Sequence, residues 1–386
     1  MQHNGNNDPG VSARDTTRQG WRVIDVPRAH HDSFPPTQRP KLRPTWDVFG
    51  WTFLVLTVIG LLVAALNPLI MMIFPGPGPV ALCALYTVVF TAVMWFLFSR
   101  LLIYRGTPWL LAAAAVLWGM TGAMLPAFAI GERLIDLSYS WNIDEMALSL
   151  GGAYPEELSK GLGVWLLLHL GRAWWNRPWH GLVAGVLIGI GFEAFENFGY
   201  AMMLSFYHPS SDLAGVSEMW LFRLVAGPLL HGICAGLVGF GIGMAVYAAG
   251  LTWTRRLSWV LGGGAAGFLV HAGWNLQLDS LTAQIVNMVF IWTVGAVLLV
   301  TAVVISTKEA RVLADAGLYP AASIYQRIPV APVRPFLPPV AAQQGQQMPP
   351  IQPMQQFPQQ APPFPPRQYP PQQYPQQGRN GPPQPR

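Results

Sequence analysis

Eight apolar stretches, each long enough to cross a bilayer, constrain this chain more than anything else in it. They fall at roughly 48–73, 80–103, 108–130, 146–170, 178–206, 220–249, 257–277 and 283–305. Hydrocarbon about 30 Å thick holds no water for backbone N–H and C=O groups, so each stretch is read as a helix that satisfies its own backbone. The expected fold class is an all-α polytopic membrane protein with about eight transmembrane helices. Hydrophobic residues make up 52% of the chain and charged ones only 11%, which excludes an ordinary soluble domain.

Basic residues set the orientation, because cytoplasmic flanks retain Lys and Arg. Placing both termini in the cytoplasm puts 20 of the 23 basic residues on that side: in the N-terminal arm, beside Arg100 and Arg105, Arg172 and Arg177, Arg255 and Arg256, and in the tail. Arg133 is then outside, and Lys160 and Arg223 lie in or near the membrane. Residues 1–45 carry too little apolar surface to offset the entropy of ordering, so a disordered cytoplasmic arm is expected there, with no removable secretory signal. The membrane domain is 46–306, and a short cytoplasmic segment with helical character follows at 307–330. Residues 331–386 hold 18 of the 36 prolines, 15 glutamines and no acid, a disordered Pro/Gln-rich tail. Such a tail could offer Pro-rich ligands to a cytoplasmic partner, although an inert solvated tail is the plainer reading. Cys83 and Cys234 lie inside apolar runs, which argues against a disulfide framework and against a thiolate metal site.

Against this background the charges within the spans stand out, because an ionisable residue in hydrocarbon is costly and marks function by default. The stretch 151–160 carries Glu156, Glu157 and Lys160, spaced so that one ammonium can lie against either carboxylate. The fifth span carries Glu193, Glu196 and Asn197. The sixth carries Arg223 near its outer end and His231 further in. The seventh carries His271 and Asn275 on one helix face. At about 1.5 Å per residue, Glu157 and His231 lie roughly 15–20 Å from the outer ends of their spans, and Glu193 and His271 about 20 Å from the inner ends of theirs. All four therefore meet near or just outside the midplane.

Each motif alone has a plain structural explanation, since a buried ion pair locks helices and a lone histidine bridges them. Together they fit a polar, water-holding chamber in which a carboxylate activates water and histidines bind a metal or stabilise an oxyanion. Glycines support close packing around it: Gly181, Gly185 and Gly189 on span five, Gly232, Gly236, Gly239 and Gly243 on span six, and Gly263 and Gly267 on span seven. Pro155, just after two glycines, either kinks span four or starts a fresh helix in its first turn.

The four motifs in this order, Glu156-Glu157-Leu-Ser-Lys160, Gly191-Phe192 to Glu196-Asn197, Arg223 with His231 to Gly236, and His271 to Asn275, resemble the PrsW family of intramembrane proteases, distant relatives of the CAAX-prenyl endopeptidases. The resemblance covers spans four to seven, about residues 150–280, with the catalytic spans at about 146–277. It implies a multi-pass protein of the bacterial plasma membrane that cleaves membrane-anchored proteins, with anti-sigma factors as the substrate type. It implies an essential pair Glu156 and Glu157, with partner residues His231, His271 and Glu196. The family's last motif can end in Asp where this chain has Asn275, a poorer metal ligand.

The candidate catalytic set is thus Glu156, Glu157, Lys160, Glu193, Glu196, His231, His271 and Asn275. One of Glu156 and Glu157 serves as general base, Lys160 holds the other, and His231, His271 and Asn275 polarise the scissile carbonyl. A zinc version uses His231, His271 and a glutamate, Glu196 being the candidate, with water as fourth ligand. The partners expected are a membrane-anchored protein substrate and the lipid bilayer, with no nucleic acid. A proton-coupled transporter built on the same Glu/His cluster, or a non-catalytic membrane scaffold, are the alternatives; a carrier would be expected to show an internal repeat, and none is convincing here.

Overall fold

The computed structural model describes residues 22–23 and 47–315, apart from 72, 74 and 173. Ten α-helices form it: α1 (Val48–Met71), α2 (Pro77–Ser99), α3 (Trp109–Met120), α4 (Leu125–Ser140), α5 (Tyr154–Leu170), α6 (Pro178–Tyr207), α7 (Asp212–Val225), α8 (Leu230–Tyr247), α9 (Trp253–Asn275) and α10 (Leu281–Asp315). Arg22 and Val23 pair antiparallel with Ala249 and Ala248. The rest of the N-terminal arm and all of the Pro/Gln-rich tail lie outside the described residues.

Helix α6 is the axis of the bundle, and from Pro178 to Ala194 every residue of it is buried. Its first turn is set by Pro178, whose missing N–H costs nothing there. The His180 ring completes the cap, Nδ1 accepting from the backbone N–H groups of Asn176 and Arg177 at 2.9 and 3.0 Å. Glycines then bring neighbouring backbones into contact. A Cβ on Gly181 would stand 2.1 Å from the Gly239 carbonyl oxygen of α8, and one on Gly191 2.0 Å from the Val116 oxygen of α3. Gly267 presses α9 onto α8 in the same way, at 2.6 Å from the Cys234 oxygen. The expected tight packing of spans five to seven is therefore present as backbone-to-backbone contact.

Helices α1, α2 and α10 form the outer wall, with apolar side chains such as Leu62, Val88 and Phe290 more than 60% exposed. In hydrocarbon this is the favourable arrangement, because lipid tails solvate those side chains as well as protein does. Six segments are long and apolar enough to cross a membrane: Val48–Leu66, Pro77–Ser99, Trp109–Ser140, Pro178–Tyr207, Leu230–Tyr247 and Leu281–Ala314. Of the eight expected spans, those around α5 and α9 are not among the six. Helix α5 is only 17 residues long, and both helices carry charge, Glu156, Glu157 and Lys160 on α5 and Arg255 and Arg256 on α9.

Three expected spans are interrupted. The stretch 108–130 is two helices that together reach Ser140, broken at Thr121, whose hydroxyl donates back to the Leu117 carbonyl at 2.6 Å. Pro126, with no N–H to give, lies in the first turn of α4. The stretch 146–170 opens with a 3-10 turn at Asp144–Met146 and a π-helical turn at Ser149–Ala153 before α5 begins, with Pro155 in its first turn. The stretch 220–249 divides into α7 and α8, because Gly227 at φ 103°, Pro228 and Leu229 at φ 61° cannot continue a helix. Arg223 is accordingly on a different helix from His231, a correction to the single span expected there.

Candidate active site

The π-helical turn and Pro155 set the direction of the first turn of α5, and from it Glu156, Glu157 and Lys160 point into the bundle, 8%, 5% and 0% exposed. π-Turns inside helices recur at functional sites because the extra residue re-aims the side chains that follow. The Lys160 ammonium spends its three N–H groups on three acceptors: Glu157 Oε1 at 2.8 Å, Glu156 Oε2 at 3.3 Å and His231 Nδ1 at 2.9 Å. Its remaining side rests on the Phe192 ring, 3.7 Å from the centroid. A buried charge so fully paired contributes little net stability but fixes the geometry of everything it touches.

His231 arrives from α8, and two features of α6 place it. Gly189 lets the His231 carbonyl approach so closely that a Cβ would stand 2.2 Å from it. One turn on, Glu193 caps α8, its Oε1 accepting from Leu229 N–H at 2.9 Å and its Oε2 from His231 N–H at 3.2 Å. Both Glu193 oxygens are thus spent on the helix end that carries the histidine. Glu196, one turn further, faces the His231 ring: His231 Nε2 is 2.8 Å from Glu196 Oε2, and that oxygen also accepts from Arg223.

The tautomer of His231 follows from its partners. An ammonium can only donate, so Nδ1 accepts from Lys160 and the ring proton sits on Nε2, given to Glu196. His271, from α9, is held the other way round. Its Nδ1 lies 2.8 Å from Glu157 Oε1 and donates to it, which turns the Nε2 lone pair toward Glu156 Oε2 at 3.7 Å. The two imidazoles stand perpendicular with centroids 4.9 Å apart. Asn275, one turn beyond His271, donates to the Leu148 carbonyl at 3.3 Å. The same amide flanks Gly152, where a Cβ would meet Asn275 Nδ2 at 3.3 Å and Glu156 Oε1 at 3.4 Å.

Glu156, His231 and His271 each offer one ligand atom, all within 4.8 Å of one another, and could hold a metal ion. The chemistry fits. Two imidazoles and one carboxylate are the donors of catalytic His2Glu sites. Each ring is oriented at one nitrogen by a second carboxylate, Glu157 for His271 and Glu196 for His231, the arrangement that aligns metal-ligating histidines; the other nitrogen of His231, Nδ1, is held by Lys160, so a metal there would take the place of that ammonium contact. A neutral imidazole lone pair facing a carboxylate oxygen is an unfavourable contact that a cation between them would relieve. Glu157 Oε2, buried and without a hydrogen-bond partner, adds a further acceptor beside the group.

The sequence reading joined Glu196 to the two histidines as a metal ligand. In the structure the carboxylate within reach of both is that of Glu156, while Glu196 is engaged by Arg223 and His231. Glu156, Glu157, Lys160, His231 and His271 share one cluster. Glu193 supports it through the backbone, and Asn275 lies at its edge. Two residues outside the expected catalytic set also belong here. Phe192, the floor under the ammonium, entered the sequence reading only as part of the Gly191-Phe192 motif, with no role attached to it. Arg223 did give one, as a cation at membrane depth, but nothing in the sequence showed that it would reach Glu196.

The PrsW family intramembrane metalloprotease model matches residues 107–323, which is more than half of the chain and contains every residue of the cluster. No curated protein and no solved structure matches the chain. Helices long and apolar enough to cross a membrane and a buried Glu/His/His group that could hold a metal agree with that match, and this chain belongs to the PrsW family of intramembrane metalloproteases.

Proposed function

We propose that this protease hydrolyses a peptide bond in single-span, anti-sigma-factor-like membrane proteins of the bacterial plasma membrane, with Glu156 as the residue that takes the proton from water. The observation that carries the reading is the position of Glu156. It belongs to the Glu/His/His group, while its Oε1 and the Asn275 amide both flank Gly152, 3.4 and 3.3 Å from where a Cβ would sit. A carboxylate and an amide donor across a gap are the two polar groups that hydrolysis of an amide needs, one to accept a proton and one to hold the carbonyl oxygen.

In the proposed sequence the water oxygen bonds to the scissile carbonyl carbon and its proton passes to Glu156 Oε1. Asn275 Nδ2–H donates to the carbonyl oxygen as charge builds there. Glu156 then returns the proton to the amide nitrogen as the C–N bond breaks, leaving a carboxyl and an amine end. Glu157 and Glu196 hold His271 and His231, and Lys160 keeps Glu156 and Glu157 together. A zinc ion held by Glu156, His231 and His271 would, when bound, polarise the scissile carbonyl and acidify a water.

Eight membrane crossings with both termini in the cytoplasm place the cluster toward the outer leaflet, so cleavage falls near the outer end of the substrate span. The Pro/Gln-rich tail is then a cytoplasmic segment open to a partner. Membership of a protease family does not favour the transporter reading. The test is expression of the native chain or its Glu156→Gln variant, at matched levels, with single-span anti-sigma factors. Fragments only with the native chain support the reading; fragments at equal rates with both remove Glu156 from the proton's path.

A further inference from the structure

Arg223 is a half-buried charge beside the site to which the proposed chemistry gives no task. It sits on α7, which contributes nothing to the Glu156, His231, His271 group, and its side chain is only 17% exposed. Its guanidinium is nonetheless held at the site from several directions. Nε donates to Asn197 Oδ1 at 2.6 Å, Nη2 donates to Glu196 Oε2, and Cζ lies 4.9 Å from the centroid of the Tyr200 ring. Glu196 Oε2 is the oxygen that receives the His231 ring proton.

We infer that Arg223 is a positioning residue for the peptidase reaction: by clamping Glu196 it keeps that carboxylate on the His231 Nε2–H and so fixes the orientation of a ring whose Nδ1 already accepts from Lys160. This rests on the reading of His231 as a member of the metal-binding group. A carboxylate on a helix in the membrane interior has rotamers to choose from, and only one of them meets the imidazole. The planar fork of an arginine selects that rotamer, because it engages Asn197 and Glu196, successive residues of α6, at once. Glu193 cannot substitute for Glu196, since both its oxygens are committed to the backbone at the start of α8. Lysine at 223 could reach one of the two partners but not both.

The arrangement also explains why the clamp comes from a separate helix. Helix α7 ends in the break formed by Gly227, Pro228 and Leu229, and α8 begins with His231 as its second residue. Arg223 therefore ties the segment before the break to the carboxylate that orients the histidine after it. Loss of the guanidinium frees Glu196 without removing any metal ligand.

The test uses the full-length protein in micelles with nitrogen-15 labelled histidine. Long-range proton–nitrogen spectra identify the His231 tautomer, the signal being assigned by its loss in a His231→Asn sample. Native protein and Arg223→Gln should both show the Nε2–H form that Lys160 enforces, but the Nε2–H proton of the variant should lie upfield and exchange faster with water, because Glu196 no longer holds it. Zinc titration of the same samples should give an affinity about 10- to 100-fold weaker in Arg223→Gln, with Arg223→Lys between the two. The double variant Arg223→Gln/Glu196→Gln should lose no more than Glu196→Gln alone, because Arg223 acts through Glu196. A folded Arg223→Gln protein with the native Nε2–H signal and zinc affinity overturns the inference, as does a double variant in which the two losses multiply. Should Arg223→Gln fail to fold, Arg223→Lys decides: a native Nε2–H signal and affinity in it overturn the inference. Native protein that binds no zinc would instead count against the metallopeptidase reading, and the Nε2–H signal would still judge Arg223.

Discussion

Gly189→Ala tests how far the chemistry depends on the contact between α6 and α8. A Cβ at this position would stand 2.2 Å from the His231 carbonyl oxygen and 2.5 Å from Gly232 Cα, both backbone atoms that cannot rotate away. Since contacts under 3.0 Å are essentially never made, α8 must retreat by about 1 Å at the residue that carries the imidazole. Overpacking of this kind costs about 1–3 kcal/mol, so the thermal midpoint in micelles should fall by a few degrees without loss of the fold. The catalytic cost should be larger: a displacement of about 1 Å at the reacting groups can lower the rate about 100-fold. The control is Gly262→Ala on α9, where nothing lies within 4 Å of the added methyl, and both midpoint and rate should stay native. The assay is cleavage of a single-span substrate by purified protein, followed by gel alongside thermal unfolding of the same preparations. A Gly189→Ala enzyme with native rate and midpoint, or a Gly262→Ala enzyme equally impaired, would refute the reasoning.

Lys160→Met should be the most destabilising change in the cluster, by about 3–5 kcal/mol, because it leaves Glu156, Glu157 and His231 buried without their shared donor; thermal unfolding measures this. Glu193→Ala strips the cap from α8 and leaves the Leu229 and His231 N–H groups unpaired, which should cost about 1–3 kcal/mol in the same assay, while Glu193→Gln, still able to accept one of them, costs less. Glu157→Gln removes the carboxylate that orients His271 but no member of the metal-binding group, so zinc should still bind, about 10- to 100-fold more weakly, whereas Glu156→Gln should abolish stoichiometric binding; elemental analysis and titration separate the two. Chelation should stop cleavage by the native protein and added zinc should restore it; full activity in metal-free protein would refute the metal assignment.

Much of the site was legible because charges in an apolar chain have few places to go. Glu156, Glu157, Lys160, His231 and His271 were recognisable as misfits, and a rise per residue sufficed to put them at one depth. Spacing alone also showed that Lys160 could reach both glutamates, and the glycines of α6 and α8 showed which helices would touch. Side-chain direction was not legible in the same way. Glu193 and Glu196 stand three residues apart on one helix, and spacing did not show that the first caps a helix end while the second, taken as a candidate metal ligand, faces a ring. Which carboxylate joins the histidines depends on rotamers and on the π-helical turn before α5, neither of which periodicity reveals. Helix breaks were harder still. Gly227 and Pro228 stand in the sequence, but hydropathy averaged over a span hides a four-residue interruption, and so Arg223 was assigned to the helix of His231.

The central claim is that Glu156 carries the proton in peptide hydrolysis within the membrane. It is tested most directly by reconstituting purified native and Glu156→Gln protein, both loaded with substrate in liposomes with zinc present, and identifying fragments by mass spectrometry. The account predicts a single cut near the outer end of the substrate span by the native protein and a rate at least about 100-fold lower in the variant. Cleavage by Glu156→Gln at the native rate and position would contradict it.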